Sequence, residues 1–150
     1  MKNRFKSNVI IVAVILFTLE LTAQSNPRYV PLQSCHLTAS FSKAYQKRSI
    51  PAFTVSKKGL LEASEGYKIL RDQKTGQIIV LPMEVEMKSV AGWDTKPVPG
   101  GQATCLCSDE GTGPDDCEYH TIIKDNTISH TCEGSCGCGI VVTLDPKVTL

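Results

Sequence analysis

The chain has 150 residues, of which 16 are basic and 15 are acidic, so its formal net charge is only +1 at neutral pH. This balance provides no electrostatic reason to expect nucleic acid or an anionic membrane surface as a partner. The length suits one domain with a modest core. The chain has seven cysteines. Their chemistry depends on whether the protein stays in a reducing cytosol or is exported to an oxidising compartment.

The N-terminal segment has the pattern of a secretory signal peptide. Three basic residues precede an apolar run from Val9 to Phe17, and small and polar residues follow up to Gln24. This pattern predicts a signal peptide over residues 1–24 and a single mature domain over residues 25–150. The run is shorter than the about 20 apolar residues of a membrane span, and Glu20 interrupts it. The expected location is secreted or periplasmic, and an uncleaved membrane anchor is the alternative.

The first elements of the mature chain are predicted to be one short helix and one strand. Between Ser34 and Ser49, apolar residues recur at helical spacing: Leu37, Phe41, Ala44 and Tyr45. The following stretch from Ile50 to Ser56, which contains Pro51, has the composition of a strand.

A β-hairpin is predicted next. Its arms are Tyr67–Arg71 and Gln77–Lys88, and its turn is the stretch 72–76, which ends in glycine. In the second arm, the apolar residues from Met83 to Met87 alternate with charged ones. This alternation predicts one face toward the core and one toward water.

A loop or linker is predicted over residues 92–102. The stretch holds two prolines and three glycines within 92–101. Proline removes a backbone donor and glycine weakens regular structure, so we expect neither a helix nor a paired strand to persist through it.

The remaining part, residues 103–144, is predicted to be a cysteine-rich β subregion. The expected strands are Ala103–Ser108, Glu118–Ile123, Thr127–Cys132 and Cys136–Leu144, with a three-residue Lys124–Asn126 turn in the central hairpin. The predicted fold class is therefore mainly β, with α+β as the alternative. It comprises a small antiparallel sheet, one short N-terminal helix and a C-terminal hairpin region held by disulfides.

Six cysteines are candidates for disulfides: Cys105, Cys107, Cys117, Cys132, Cys136 and Cys138. Disulfides form in the oxidising compartments that a signal peptide leads to. In a strand, residues i and i+2 lie on one face, so the two C-x-C pairs could face each other across antiparallel strands. This geometry predicts a nested framework of Cys105–Cys138, Cys107–Cys136 and Cys117–Cys132, one of several connectivities that six cysteines permit.

Cys35 stands apart from the cluster and is the candidate free thiol. An odd cysteine in a secreted chain suggests an intermolecular disulfide, a buried inert residue or a redox site. A disulfide-linked dimer through Cys35 is therefore one expectation. Its neighbour His36 does not make it a catalytic nucleophile. Residues adjacent in sequence seldom form the thiol–imidazole contact that activates a cysteine, and no residue that would orient the histidine is identifiable.

The alternative for the cluster is a metal site for zinc or iron. Four thiolates from Cys105, Cys107, Cys136 and Cys138 could form a tetrahedral site, and His120 and His130 lie in the same hairpin. With the predicted three-residue turn, His120 opposes His130. The familiar C-x₂-C zinc spacing does not occur in the chain, and export favours disulfides over a metal.

The sequence predicts an exported, small, cysteine-rich protein that acts as an extracytoplasmic binding or structural module for an unidentified protein or small ligand. The alternative is a metal-binding or thiol-redox protein that uses the Cys105–Cys138 cluster. No catalytic triad, paired catalytic carboxylates or phosphate-binding loop is recognisable, so a non-enzymatic role is preferred and no catalytic residue is assigned. A membrane partner is expected only if the N-terminal segment stays uncleaved.

Overall fold

A computed structural model describes residues 27–87, 94–107 and 116–150, so the predicted signal segment lies outside the described residues. The strands are β1 (Tyr29–Leu32), β2 (Ser34–His36), β3 (Arg48–Ser49), β4 (Phe53–Val55), β5 (Leu60–Ala63), β6 (Tyr67–Asp72), β7 (Ile78–Pro82), β8 (Lys96–Val98), β9 (Gly101–Cys107), β10 (Cys117–Lys124), β11 (Thr127–Gly134) and β12 (Cys138–Leu144). The helix α1 spans Ala39–Tyr45, and a 3₁₀ helix spans Pro146–Val148. The fold is mainly β with antiparallel sheets and C-terminal disulfides, which confirms the predicted fold class.

The main element is a six-stranded sheet with the order β1-β6-β7-β12-β9-β8, in which all neighbours are antiparallel. Its central strand β7 has the continuous apolar sequence IIVLP and is buried along its whole length. An unbroken apolar run is typical of a strand that is covered on both faces. The sheet therefore has apolar packing on each side.

The two sides of the sheet carry different clusters, because successive side chains of a strand point to opposite faces. Val80 and Leu144 belong to the larger cluster, whereas Ile79 and Val141 belong to the smaller one. The small sheet β2-β5-β4 and the helix α1 contribute further side chains to the larger cluster: Leu37, Tyr45, Phe53 and Leu61.

The predicted helix is shorter than expected. Residues Ser34–His36 form β2, which pairs with β5, and only Ala39–Tyr45 is helical. The backbone N–H groups of Leu37 and Thr38 donate to the carbonyls of Gly59 and Val148, each at 2.8 Å. These tertiary hydrogen bonds hold the stretch extended, so pairing outweighs the local helical spacing. The strand expected from Ile50 is likewise shorter and begins at Phe53.

The hairpin over residues 67–82 forms as predicted in its first arm but ends early in its second. β7 stops at Pro82, which lies opposite Tyr67, the first residue of β6. The described residues that follow directly, 83–87, form no strand, and Val85 N–H donates to the Pro82 carbonyl in a turn. The predicted alternation through Met87 is therefore wrong as a strand, and Lys88 lies outside the described residues.

The stretch 92–102 contains a strand, contrary to the loop expected from its prolines and glycines. β8 (Lys96–Val98) pairs with β9, which already begins at Gly101. β8 is the edge strand of the six-stranded sheet, and an edge tolerates Pro97 because one side of the strand needs no hydrogen-bond donor. Residues 92 and 93 lie outside the described residues.

The cysteine-rich hairpin β10–β11 has a two-residue turn instead of the predicted three. Lys124 pairs with Thr127, and the turn residues Asp125 and Asn126 have φ angles of +48° and +63°. Two successive positive φ values are typical of a type I′ turn, and Asp and Asn tolerate them better than most residues. The shorter turn shifts the register by one residue, which changes which side chains share a face.

Candidate functional site

Three disulfides connect the six predicted cysteines. The bonds are Cys105–Cys132, Cys107–Cys136 and Cys117–Cys138, with Cα separations of 5.6, 5.6 and 5.8 Å. The Cys107–Cys136 prediction is confirmed. The predicted Cys105–Cys138 and Cys117–Cys132 bonds are wrong, because these four cysteines exchange partners.

The register of β9 and β12 explains the exchange. The two strands are antiparallel neighbours as predicted, but Cys138 lies opposite Cys107 and Ile140 lies opposite Cys105. The nested framework required Cys138 to lie opposite Cys105, which is a shift of two positions. Cys105 instead bonds to Cys132 in a different sheet.

The disulfides consequently join two sheets and do not bridge neighbouring strands of one. The hairpin β10–β11 belongs to a three-stranded sheet with β3, whereas β9 and β12 belong to the six-stranded sheet. Cys105–Cys132 links β9 to β11, and Cys117–Cys138 links β10 to β12. Cys107–Cys136 links β9 to the segment between β11 and β12. The base of the hairpin is thus attached covalently to the main sheet.

Two of the disulfides are in direct contact and form what we call the four-sulfur cluster: Cys107, Cys117, Cys136 and Cys138. Their Sγ atoms all lie within 4.8 Å of one another. The non-bonded Sγ–Sγ distance is 3.2 Å for Cys117–Cys136, 3.5 Å for Cys107–Cys117 and 3.7 Å for Cys136–Cys138. Cys107 and Cys117 are buried, whereas Cys136 and Cys138 are partly exposed.

One glycine makes this close packing possible. A Cβ atom at Gly134 would overlap the backbone carbonyl of Asp116 and would lie 2.8 Å from the Cys138 Sγ. Any larger residue would therefore displace the hairpin base or the sulfur. Gly139 is different, because a Cβ there would meet the Pro82 side chain at 2.6 Å and not a sulfur atom.

The two histidines of the predicted metal site do not meet. The register pairs His130 with Thr121 and His120 with Thr131, so the two imidazoles lie on opposite faces of the hairpin. His120 lies on the outer face, where its Nε2 atom is 3.8 Å from a Glu118 carboxylate oxygen. The predicted opposition of His120 and His130 is wrong because the turn is one residue shorter than expected.

The cysteines of the predicted metal set are also rearranged. Cys107, Cys136 and Cys138 do converge, but Cys117 takes the place of Cys105 in the four-sulfur cluster. Cys105 is bonded to Cys132 and is not in that group of four. The sequence offered one signal for Cys117, namely its position at the start of a predicted hairpin strand, in the stretch between the two C-x-C pairs.

His130 lies on the inner face of the hairpin and is only 5 % exposed. Its Nδ1 atom is 2.6 Å from the Tyr119 hydroxyl, and its Nε2 atom has no hydrogen-bond partner among the described residues. Burial, assisted by the Arg48 charge, lowers the pKa of His130, and burial raises the pKa of Tyr119. Both shifts favour the neutral forms, a neutral imidazole and a neutral phenol that share one hydrogen bond.

Cys35 is the free cysteine of the described residues and is buried in the core on β2. Its side chain is 9 % exposed, and burial raises the pKa of its thiol. A buried thiol with a raised pKa is a poor nucleophile. The predicted intermolecular disulfide would require β2 to leave the core.

The distal end of the hairpin is exposed on both faces. Ile122 is 51 % exposed and its neighbour Ile123 is 76 % exposed. Adjacent strand residues point to opposite faces, so exposure of both shows that neither face is covered at this end. We call Ile122, Ile123 and the turn Asp125–Asn126 the hairpin tip.

No family model, no curated protein and no solved structure matches this chain. Among the described residues, no helix has the length and apolar character needed to cross a bilayer.

Proposed function

We propose that the protein is an exported β-module, stabilised by disulfides, that acts outside the cytoplasm as a binding module. The hairpin tip is its binding surface. The observation that carries this proposal is that two disulfides, Cys105–Cys132 and Cys117–Cys138, attach the hairpin at its base, while two isoleucines at its distal end are exposed.

The disulfides support the extracytoplasmic location. Structural disulfides form and persist in secreted and periplasmic proteins and are rare in a reducing cytosol. The signal-peptide pattern of residues 1–24 supports the same location independently, because it precedes the domain in sequence and involves no cysteine.

The hairpin tip supports a binding role. Exposed Ile122 and Ile123 leave apolar surface in water, which costs free energy unless a partner covers it. A hairpin that is fixed at its base loses little conformational entropy when its tip is bound. Among the described residues, the outer edge of β10 also has no partner strand in its three-stranded sheet, which offers backbone groups to a strand of a partner.

Fractionation of the native host tests the location. We expect the chain in the extracytoplasmic fraction, with an N-terminus near residue 25 and Cys35 as the free thiol under denaturing conditions. Mass spectrometry after alkylation measures both properties. A full-length cytoplasmic chain with all seven thiols free would contradict the proposal.

Site-specific photo-crosslinking tests the binding surface. A photoreactive residue at position 123 should give a discrete crosslinked partner in the native compartment, and Ile122→Ser should reduce its yield. Position 83 is the matched control, because Met83 is also an exposed apolar residue, at 60 %, but follows β7 and is not part of the hairpin tip. Equal crosslinking at both positions, or none at position 123, would contradict a role for the hairpin tip.

A further inference from the structure

We propose that the four-sulfur cluster has a second, metal-bound state. When its two disulfides are reduced, Cys107, Cys117, Cys136 and Cys138 bind one zinc ion as four thiolate ligands. This activity is independent of the proposed binding role of the hairpin tip.

The spacing of the four sulfur atoms suits a tetrahedral site. Zinc–thiolate bonds of about 2.3 Å place neighbouring sulfurs of a tetrahedron roughly 3.8 Å apart. The non-bonded Sγ–Sγ distances of 3.2, 3.5 and 3.7 Å are already close to that value. The largest change is in the two bonded pairs, each of which must separate by roughly 2 Å from an ordinary disulfide distance.

The third disulfide keeps the ligands together after reduction. Cys105–Cys132 joins β9 to β11 and lies outside the group of four sulfurs. In each of the three disulfides one cysteine is buried and its partner, Cys132, Cys136 or Cys138, is partly exposed. Where Cys105–Cys132 stays intact while the cluster is reduced, it continues to hold the hairpin against the main sheet.

The chemistry balances with a dithiol as the reductant. Two dithiol molecules supply four electrons and four protons, and each becomes a disulfide. The Cys107–Cys136 and Cys117–Cys138 bonds break and yield four thiols. Zinc then binds the four sulfurs as thiolates and displaces four protons to solvent. The products are one tetrathiolate zinc centre and two oxidised dithiols.

The ligand set uses cysteine alone. His120 lies on the outer face of the hairpin, and His130 is engaged with the Tyr119 hydroxyl at 2.6 Å. Four thiolates without imidazole form the tetrahedral set that zinc occupies in structural sites, so a histidine is not needed.

Metal titration of the partially reduced protein tests the proposal. The purified mature protein is treated with a limiting dithiol, and peptide mapping selects the form that retains only Cys105–Cys132. Native mass spectrometry should then show one zinc ion per chain with the loss of four protons. Cobalt(II) should give the visible absorption of a tetrahedral thiolate site. The oxidised protein should bind neither ion.

Cysteine variants assign the ligands. Cys117→Ser/Cys138→Ser should lose stoichiometric binding, and Cys136→Ser should weaken it. Cys105→Ser/Cys132→Ser also removes one disulfide but leaves all four proposed ligands, so it should still bind one zinc ion, although more weakly than the wild type because the bond that holds the hairpin to the main sheet is gone. Circular dichroism of each oxidised variant confirms that it folds before it is reduced.

Two results would overturn the proposal. One is a partially reduced wild-type protein that stays folded and takes up no zinc. The other is zinc binding that survives Cys117→Ser/Cys138→Ser, since the ion would then be held by other groups. If a reduced variant unfolds, the single variant Cys136→Ser still decides the question, because it can retain Cys117–Cys138 and Cys105–Cys132 until reduction.

Discussion

The centre of the six-stranded sheet and the β10–β11 hairpin are held by different physical means. Every residue of β7 is buried, and β12 carries four fully enclosed side chains, Ile140, Val141, Val142 and Leu144. The hairpin exposes most of its distal half and is attached to the sheet by two disulfides, while a third joins the segment after it to β9. Burial of apolar side chains stabilises the centre of the sheet. The hairpin buries few apolar side chains and is stabilised by disulfides. The contrast predicts that the two regions respond differently to the same kinds of change.

The largest effect should follow removal of the disulfide outside the four-sulfur cluster. Cys105→Ser/Cys132→Ser opens a loop with a sequence separation of 27 residues. By the chain-entropy relation this should lower the free energy of unfolding by about 3–4 kcal/mol. Hydrogen exchange should show the largest loss of protection in β10 and β11, with a smaller loss in β7. A uniform loss across both regions would contradict the contrast.

A core truncation should have a comparable but slightly smaller effect. Leu144 is fully buried in the larger cluster, so Leu144→Ala should cost about 3 kcal/mol through lost burial and a cavity. Ile123→Ala is the matched control on the hairpin tip and should change stability by less than about 0.5 kcal/mol, because Ile123 is 76 % exposed. Urea unfolding measures both. Similar costs for the two variants would show that the tip is covered in solution.

A methyl group at the hairpin base should have an intermediate effect. Gly134→Ala introduces a Cβ against the Asp116 carbonyl and the Cys138 Sγ, and relief of that overlap should cost about 1–3 kcal/mol. Ser135→Ala changes an exposed neighbour and serves as the control. Thermal unfolding of the oxidised proteins compares them. A neutral Gly134→Ala would mean that the hairpin base can move away from the cluster.

The buried carboxylate of Asp72 should make the free energy of unfolding depend on pH in the acid range. The Arg28 guanidinium, 3.0 Å from Asp72, and backbone N–H donors from Lys74 and Thr75 hold the pKa of Asp72 below its usual range. A lowered pKa in the folded state stabilises the protein above the unfolded value of about 3.9. That contribution is lost as the pH falls through the folded pKa.

In Asp72→Asn, the free energy of unfolding should therefore fall less steeply than in the wild type as the pH is lowered below about 4. Urea unfolding at several pH values measures this slope. The comparison variant Asp94→Asn removes a solvent-exposed pair with Lys96 and should cost less than about 1 kcal/mol at neutral pH. An unchanged acid slope in Asp72→Asn would show that the Arg28 contact does not persist in solution.

His130 in the hairpin should also make the free energy of unfolding depend on pH, with a smaller effect and nearer to neutral pH. The buried His130 has a lowered pKa, so the unfolded chain binds a proton first as the pH falls below about 6.5. Stability should decrease from that pH down to the folded pKa and then level off. Titration of the His130 resonance by NMR should give a pKa below that of a free histidine. Arg48→Gln should move it upward, and no movement would remove Arg48 as a cause.

Local chemistry in the chain was sufficient to predict several elements. The arms of β6 and β7, the cysteine-rich strands and the presence of disulfides follow from apolar alternation, turn residues and cysteine spacing. β1, β2, β3, β5 and β8 were missed. Each is only two to four residues long, which is too short for a recognisable local pattern. β1, β2 and β3 also exist through pairing with strands that are distant in sequence.

In the candidate site, too, local sequence predicted some features and only tertiary structure decided others. The six bonded cysteines were identified from sequence, but two of three bonds were assigned to the wrong partners and Cys117 was missed as a member of the four-sulfur cluster. A two-position difference in the register of β9 against β12 accounts for the first error. A one-residue difference in the β10–β11 turn separates His120 from His130.

The amino-acid sequence alone determined that this chain is rich in β-structure, that its C-terminal part is cross-linked, and that Cys35 stands outside the cross-links. These properties depend on composition and short-range spacing. Tertiary structure decided which sulfurs meet, because a strand reverses the face of every side chain when its register shifts by one residue. Register in turn depends on one type I′ turn and on the packing of β9 against β12. The four-sulfur cluster is therefore a property of the folded chain, formed by cysteines from β9, β10, β12 and the segment before β12.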